Sequence, residues 1–500
     1  MSSPAKAPDS PAMGAETPAH GKEPGFLWKS VPAHVWLVAL GTALLALVVH
    51  FVIRYGFIDN MDEENYLWLS RRILEGRMTA EVPPLGLWDH FEVHWRGMHD
   101  GHLYTHFFLM WPLLLAGGTA LQVPWLVNPL LAALIVILCY LIACNLYKDR
   151  LVANTMALLL APCPFLVFQA GTMLSHVSIA MWCLAAALAL TLYMKRPRLH
   201  YLIVTGVALG LAFSTRPLDA VAFAFPLMVA VMASQYRQPK VLLRNLAVIG
   251  IAGLAGMIPF LIYNHAVTGN ALVTPYQLHG SPLFSTSLAD FIGHSWPKTV
   301  SHLSGWGQWF IPWWIVVLCA LVLVLRSRLL AGDRVALAVI LSIVAAYAPY
   351  GAMFDIAGPR YHFLVLFPVL LILARTITMQ GWRLAVAGIA LVYLSFLWIY
   401  YDEGRKMHWA VDEKRSLEVA TEAANLERAI VLVPDGWHFR MHARSMLKNE
   451  PDFSGIIYAL DIPETNPQLL AHFEGVPAYR WSYSPGEPPG LLVPYEAGPN

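Results

Sequence analysis

The sequence predicts an all-α polytopic membrane protein with a small α/β soluble domain at its C-terminal end. Hydrophobic residues make up 57% of the 500-residue chain and charged residues only 13%, whereas soluble proteins average about 25% charged residues. Apolar runs of about 17–23 residues, each long enough to cross a hydrocarbon layer of about 30 Å, recur up to residue 401. The polar sequence that follows, 402–500, predicts a separate domain outside the membrane.

Composition divides the chain into three parts: a disordered cytoplasmic tail over 1–30, a membrane domain over 31–401, and the soluble domain over 402–500. The first part is rich in Pro, Ala and Ser and has too few large apolar residues to fold. The formal net charge of +1 lacks the basic excess of nucleic-acid-binding proteins, so no nucleic-acid partner is expected.

Eleven apolar runs are expected to cross the membrane. They lie near 34–54, 125–147, 151–170, 177–194, 199–213, 218–234, 242–263, 309–325, 335–353, 361–379 and 383–401. A further apolar stretch, 103–121, is interrupted by Pro112 and by a Gly-Gly pair.

Charge sidedness decides how 103–121 is interpreted. If this stretch does not cross, the connections on the N-terminal side hold 13 Lys and Arg residues, against three on the opposite side after the first loop. Because cytoplasmic loops are the ones enriched in Lys and Arg, the N-terminus is expected in the cytoplasm and 103–121 is expected to be re-entrant or interfacial. The loops 55–102 and 264–308 and the tail 402–500 then fall on the outer face.

The C-terminal tail alternates strand and helix patterns. We expect helices at 405–427, 437–448 and 465–473, and strands at 429–433, 455–460 and 477–483. This alternation predicts a small α/β layer with a parallel component. The tail contains no nucleotide-binding glycine pattern or nucleophile elbow, which favours a rigid cap or docking module.

Three consecutive carboxylates, Asp62, Glu63 and Glu64, follow the first apolar run at the start of a predicted helix over 63–75. Charges at the membrane edge that face a cavity are functional candidates. The alternative interpretation is that these carboxylates only stabilise the N-terminus of the helix through its dipole. The spacing alone leaves both interpretations open.

Five histidines crowd the same outer loop, at His90, His94, His99, His102 and His106. Imidazole is a common zinc ligand, but this spacing matches no closed zinc motif. Aromatic residues between the histidines suit a belt at the membrane interface. We therefore predict no metal site, while a divalent ion at this cluster stays open.

Positive charge at the outer ends of predicted spans is unexpected, and it occurs at Arg216 and at Arg360, which precedes Tyr361. One interpretation is that these arginines anchor lipid headgroups; the other is that the two guanidinium groups clamp a phosphate. Ser175 and His176 also lie at an outer helix end, where a lone histidine is either structural or part of the site.

In their order, these motifs resemble the GT-C superfamily of polyprenyl-phosphate-dependent glycosyltransferases. The likeness is to the branch with protein O-mannosyltransferases and aminoarabinose transferases, the glycosyltransferase family 39 type, and covers about 50–400. Asp62-Glu63-x-x-Tyr66 resembles the D-E-x-x-Y signature of that family. The stretches 173–176, 215–217, 268–270 and 358–361 lie where relatives carry similar motifs, and the interrupted 103–121 segment resembles their juxtamembrane helix.

The resemblance implies an inverting, metal-independent transfer without a cofactor, from a sugar carried on a polyprenyl phosphate to an acceptor hydroxyl of a lipid, glycan or protein. It implies that Asp62 is the general base and that Glu63 orients Asp62 or binds the acceptor. Arg216 and Arg360 would neutralise the departing phosphate, and Tyr66, His176 and Tyr361 would contact substrates. The enzyme would sit among the lipids of the inner (plasma) membrane.

The chain departs from the family in two places. Relatives often carry a Pro-Pro pair where this chain has Tyr104-Thr105-His106-Phe107, and some carry an aspartate where it has Ser175-His176. The second departure puts a two-carboxylate mechanism in question. A transporter or flippase of a lipid-linked or small anionic substrate is the alternative function, but it predicts paired halves with broken helices, and the sequence shows no such internal repeat.

Overall fold

The computed structural model describes residues 31–58, 60–81, 87–91, 96–278, 284–326, 329–351, 353, 355–434, 449, 453–482 and 490–495. The predicted disordered tail 1–30, the predicted helix 437–448 and His94 lie outside the described residues.

Helices dominate the described chain. The first half contains α1 (Ala33–Ile53), α2 (Met61–Leu74), α3 (Met110–Ala120), α4 (Pro124–Tyr147), α5 (Arg150–Leu160), α6 (Pro164–Ala170), α7 (His176–Lys195), α8 (Leu199–Thr215), α9 (Pro217–Gln235), α10 (Pro239–Gly256) and α11 (Ile258–Thr268). The second half contains α12 (Leu288–Trp309), α13 (Trp313–Leu325), α14 (Ala331–Tyr347), α15 (Arg360–Thr378), α16 (Trp382–Lys414), α17 (Ser416–Ala423) and α18 (Asn466–His472).

Each of the eleven predicted spans coincides with one or two of these helices. Among the described residues, seven helices are long and apolar enough to cross a membrane, or up to nine if each of two bent pairs counts as one span. The bent pairs are α5 with α6, at 55°, and α12 with α13, at 81°. The helices α8 and α14 have 17 residues each, which leaves the total of eleven a prediction.

Two expectations need correction, and a third, the domain boundary, stays a prediction. Much of the predicted outer loop 264–308 is helical, because α12 occupies its second half. The predicted span 242–263 is interrupted at Met257, between α10 and α11. Helix α16 continues to Lys414, so the predicted boundary at residue 401 lies inside a helix, and only the short α17 follows it in the predicted helical stretch 405–427.

The interrupted stretch 103–121 forms a strand followed by α3, which has 11 residues. At 1.5 Å rise per residue, such a helix is about 16 Å long and too short to cross a bilayer. Its packing partner is α2, and Trp111 donates a hydrogen bond from Nε1 to the carbonyl oxygen of Met173, at 2.8 Å. The predicted non-crossing segment is therefore present.

Close backbone contact fixes α8 against α10. A Cβ added to Gly210 would lie 2.1 Å from the carbonyl oxygen of Gly253, and one added to Gly206 would lie 2.4 Å from that of Ile249. Small residues four apart let helices approach closely within a membrane, where packing contributes much of the association energy. This contact positions the C-terminal end of α8, which leads into Arg216.

Two small sheets lie outside the helix bundle. The first is antiparallel, with strand order β1-β3-β2, from β1 (Ala80–Glu81), β2 (Arg96–His99) and β3 (His102–Thr105). The second has the order β5-β4-β6-β7, from β4 (Ala429–Pro434), β5 (Ile456–Asp461), β6 (Ala478–Ser482) and β7 (Leu491–Pro494). In the second sheet β4 pairs parallel with β5 and β6, as the strand and helix alternation predicts, and β7 is antiparallel.

The second sheet packs against the loop that follows α2. Leu87 and Phe91 join an apolar cluster with buried residues of β4 and β5. The imidazole of His90 contacts the carbonyl oxygen of Leu460 at 2.8 Å and the hydroxyl of Thr465 at 2.9 Å. The C-terminal domain is thereby attached to the loop that follows α2.

Candidate active site

The carboxylate of Asp62 forms a buried ion pair with Arg360, with 2.5 Å between Arg360 Nη1 and Asp62 Oδ2. Asp62 lies in the first turn of α2, where its backbone N–H donates to the side chain of the N-cap residue Asn60 at 2.7 Å. Arg360 begins α15 and follows Gly358, whose φ of +101° is a backbone conformation that glycine adopts readily. Two distant segments therefore meet at this ion pair.

Glu63 faces in a different direction. Its side chain is fully buried, with 2.7 Å between Oε1 and Arg54 Nη2, and its Oε2 accepts from the backbone N–H of Met173 at 3.1 Å. Arg54 also donates to the carbonyl oxygen of Gly171 at 2.9 Å. The sequence places Glu63 beside Asp62 in the active site, whereas the structure pairs it with Arg54 and the turn before α7.

Arg216 is held by a second carboxylate. Arg216 Nε donates to Asp219 Oδ2 at 2.6 Å, and the hydroxyl of Tyr347 donates to the same oxygen at 2.6 Å. Asp219 and Tyr347 are buried, while the side chain of Arg216 is 18% exposed. This arrangement fixes the guanidinium at the start of α9 and the end of α14.

Tyr361 lies beside both guanidinium groups. Its ring centroid is 5.1 Å from the guanidinium carbon of Arg360 and 5.5 Å from that of Arg216. Cations within about 6 Å of an aromatic ring face are attracted to it. The ring of Tyr350 also lies 5.4 Å from that of Tyr361. The two predicted phosphate-binding arginines therefore share one aromatic neighbour.

Tyr66, on α2 like Asp62, is a further residue of the site. Its hydroxyl lies 3.0 Å from the hydroxyl of Ser175. Burial raises the pKa of Tyr66 above its ordinary value, and the Asp62 carboxylate raises it further. The phenol therefore stays protonated at neutral pH and its hydroxyl can donate a hydrogen bond.

His176 begins α7 beside Ser175, and its side chain is only 2% exposed. Its ring lies 6.4 Å from that of Tyr361 in an edge-on arrangement. Neither ring nitrogen has a hydrogen-bond partner in the described part of the chain. Buried polar groups without partners are uncommon in proteins, and each asks for an explanation.

The outer-loop histidines do not gather at one point. His90 contacts the C-terminal domain, His99 and His102 lie at a turn where both contact Asp100, and His106 packs against Tyr104 and Tyr276. Over the residues that the structure describes, no three His, Cys, Asp or Glu side chains are grouped as metal ligands.

Sequence reasoning missed several contributors to the site. Arg54, Tyr347 and Tyr350 were not singled out, although Arg54 is a lone charge at the end of the first apolar run. The two tyrosines carry no local signal, since a tyrosine near a span end is ordinary in membrane proteins.

Comparisons with known proteins agree with this architecture. Residues 125–271 match the profile of the PMT family, Dolichyl-phosphate-mannose-protein mannosyltransferase. The Archaeoglobus fulgidus oligosaccharyltransferase in its apo form aligns with a TM-score of 0.53 at 14% identity, over 90% of this chain and 69% of that one. ArnT from Cupriavidus metallidurans bound to undecaprenyl phosphate aligns with a TM-score of 0.50 at 13% identity, over 92% and 98% of the two chains.

The chain has the GT-C glycosyltransferase fold. With the family-profile match, this confirms the predicted class, a multi-pass membrane glycosyltransferase. No curated protein sequence matches the chain. None of the comparisons supports the alternative of a transporter.

Proposed function

We propose that this GT-C protein transfers a sugar from a polyprenyl phosphate to an acceptor hydroxyl at the outer face of the membrane, with Asp62 as general base. The observation that carries the proposal is the meeting of Asp62, Arg360 and Arg216 around Tyr361, although these residues lie far apart in sequence. A carboxylate beside two arginines provides a base for the acceptor and a site for a phosphate. The undecaprenyl phosphate bound to ArnT supports this class of donor.

The proposed transfer replaces the bond between the sugar and the phosphate with a bond between the sugar and the acceptor. The acceptor oxygen attacks the anomeric carbon, its proton passes to Asp62, and the bond from that carbon to the phosphate oxygen breaks. The electron pair stays on the departing polyprenyl phosphate, where Arg216 and Arg360 balance the added charge. Such stabilisation of developing charge is often the largest catalytic contribution. Attack opposite to the leaving group inverts the anomeric centre.

The Asp62–Arg360 ion pair gives the donor a second role. A carboxylate held by a guanidinium is a weaker base, because the positive charge favours its ionised form. A donor phosphate competes with Asp62 for Arg360, so donor binding would free the carboxylate for the acceptor. Arg216 is anchored separately by Asp219 and stays in place during this exchange.

His176, Tyr66 and Tyr361 have supporting roles in this proposal. The unpartnered ring nitrogens of His176 lie beside the aromatic ring that both arginines approach, so one N–H can donate to a phosphate oxygen. The hydroxyl of Tyr66 remains available to a substrate oxygen next to Asp62. Glu63 has a structural role: with Arg54 it holds the turn before α7, which positions His176.

The orientation and the division into domains are also proposals. We infer that the protein lies in the inner (plasma) membrane with its N-terminus in the cytoplasm and the domain 402–500 outside. The 13-to-3 distribution of positive charge supports this orientation. The attachment of the second sheet to the loop after α2 supports a C-terminal domain on the same side as the site.

A binding measurement tests the donor class. Purified protein in detergent is titrated with a polyprenyl phosphate, and separately with the matching polyprenol that lacks the phosphate. We expect the phosphate to add about tenfold or more in affinity, because charge-assisted hydrogen bonds contribute about 1.5–3 kcal/mol. Equal affinity for the two lipids would exclude a phosphate site at the arginines.

A further inference from the structure

A cavity of about 540 Å³ lies inside the helix bundle, toward the end remote from Arg216 and Arg360. Its lining comes from α4, α5, α7, α9, α14, α15 and Leu330. Most of the lining is apolar, including Leu184, Phe223, Val339 and Phe367. The volume falls within the range of about 300–1,000 Å³ that is typical of ligand sites.

A packed layer separates this cavity from the candidate active site. Ala180 on α7, Ile343 on α14 and Leu364 on α15 lie between the cavity lining and the outer ends of their helices, and each is at most 1% exposed. To enter the cavity, a lipid tail attached to a phosphate at Arg216 and Arg360 would have to pass through this layer. The cavity is therefore a site of its own and does not continue the donor site.

Polar groups line the cavity only toward the opposite end of the bundle. Asn145, Lys195 and Ser234 lie near the ends of α4, α7 and α9, and Lys195 Nζ donates to Asn145 Oδ1 at 3.3 Å. Lys148 and Arg196 directly follow the ends of α4 and α7. Basic residues are therefore clustered at the polar end of the cavity.

A further cation lies beside the same end. Arg375 stacks over the ring of Tyr147 at 5.1 Å, and the hydroxyl of Tyr147 donates to the buried carboxylate of Asp333 at 2.5 Å. The Nε atom of Arg375 is buried and has no hydrogen-bond partner among the described residues. An apolar chamber with cations at its polar end matches a molecule that carries a hydrocarbon chain below an anionic headgroup.

We propose that this cavity binds one acyl chain of an anionic membrane phospholipid, with its phosphate against Lys195. The apolar lining removes the chain from the bulk lipid and gains packing contacts that an empty cavity would lack. The phosphate gains a charge-assisted hydrogen bond from Lys195, for which Asn145 is the present partner. The phospholipid comes from the leaflet opposite the active site, since the packed layer closes the cavity on the active-site side.

The test uses matched pairs of variants of the full-length protein. Ala230→Phe fills the cavity from α9, and Ala233→Phe places the same ring on an exposed position of the same helix. Lys195→Glu reverses the charge at the polar end, and Lys240→Glu makes the same change at an exposed position on α10. Native mass spectrometry counts the phospholipids retained after extraction, and thermal unfolding is followed with added phosphatidylglycerol or phosphatidylcholine.

We expect the wild type to retain one anionic phospholipid and to be stabilised by phosphatidylglycerol more than by phosphatidylcholine. Ala230→Phe and Lys195→Glu should each lower this retention by about tenfold, while Ala233→Phe and Lys240→Glu leave it unchanged. Size-exclusion chromatography identifies any variant that fails to fold. If either Ala230→Phe or Lys195→Glu fails to fold, the other one is used for the test. Equal retention in all variants, or a polyprenyl phosphate as the retained lipid, would overturn the proposal.

Discussion

The buried pair between Arg54 and Glu63 gives the sharpest prediction about a single residue. Glu63→Gln removes the negative charge that pairs with the fully buried Arg54 guanidinium. Removing one partner of a buried ion pair typically costs about 3–5 kcal/mol. Since proteins are stable by only about 5–15 kcal/mol, the variant should lose a large part of its stability.

A double variant separates this cost from catalysis. Replacing both partners, as Arg54→Met with Glu63→Leu, removes both charges of the pair and should recover much of the stability. Glu75→Gln is the control, because the Arg72–Glu75 pair has a 45% exposed carboxylate and pairs of this kind contribute about 1 kcal/mol or less.

The assay is thermal unfolding in detergent together with turnover at a temperature where each variant is folded. We expect Glu63→Gln to unfold at a clearly lower temperature and to retain most of its turnover while folded. Normal stability with a turnover lowered by 100-fold or more, as loss of a general acid–base group typically causes, would refute this reasoning and return Glu63 to the catalytic role that the family resemblance implies.

Three further predictions concern the donor site, helix packing and orientation. Arg216→Gln and Arg360→Gln should each weaken donor binding by about 10- to 100-fold with little change in the acceptor's KM, and the lysine variants should recover only part of the donor affinity. Kinetics with donor and acceptor varied separately measure these effects. A rise in the acceptor's KM alone would contradict the prediction. Gly210→Ala should destabilise the protein by about 1–3 kcal/mol in thermal unfolding, because its Cβ would meet the backbone of α10. Gly250→Ala is the control, because a Cβ at that position would enter open space. An equal loss of stability in both variants would show that the helix contact is unimportant. A reporter enzyme that is active only in the cytoplasm, fused after residue 500, should be silent, and an active fusion would reverse the proposed orientation.

Hydrophobic run length predicted most of the helices, because a helix in a membrane satisfies its own backbone hydrogen bonds whatever its neighbours are. The breaks within helices were less predictable. The bend between α5 and α6 comes just before Pro164, which lacks a backbone N–H and begins α6. Such a proline also occurs inside the unbroken α9, at Pro226, so its presence alone does not identify a break.

The sequence predicted which kinds of residue lie at the candidate site, but only part of how they are arranged in space. Asp62, Arg216 and Arg360 were identified as candidates because charge at the end of an apolar run is costly unless it is used. The direction of Glu63 was not found, although successive residues on a helix point about 100° apart, which separates it from Asp62. Its partner Arg54 and the anchors of Arg216 depend on which helices meet, and hydrophobic pattern does not specify those contacts.

Asp62 is proposed to be the base of a glycosyl transfer from a polyprenyl phosphate. The most direct measurement is mass spectrometry of the glycans and lipids of the cell envelope in cells that lack the protein, complemented with the wild type or with Asp62→Asn. We predict that a glycosylated product is absent and its polyprenyl-phosphate sugar accumulates both without the protein and with Asp62→Asn at wild-type abundance, since loss of a general base typically lowers the rate by 100- to 10,000-fold. Full restoration of the product by Asp62→Asn would contradict the account.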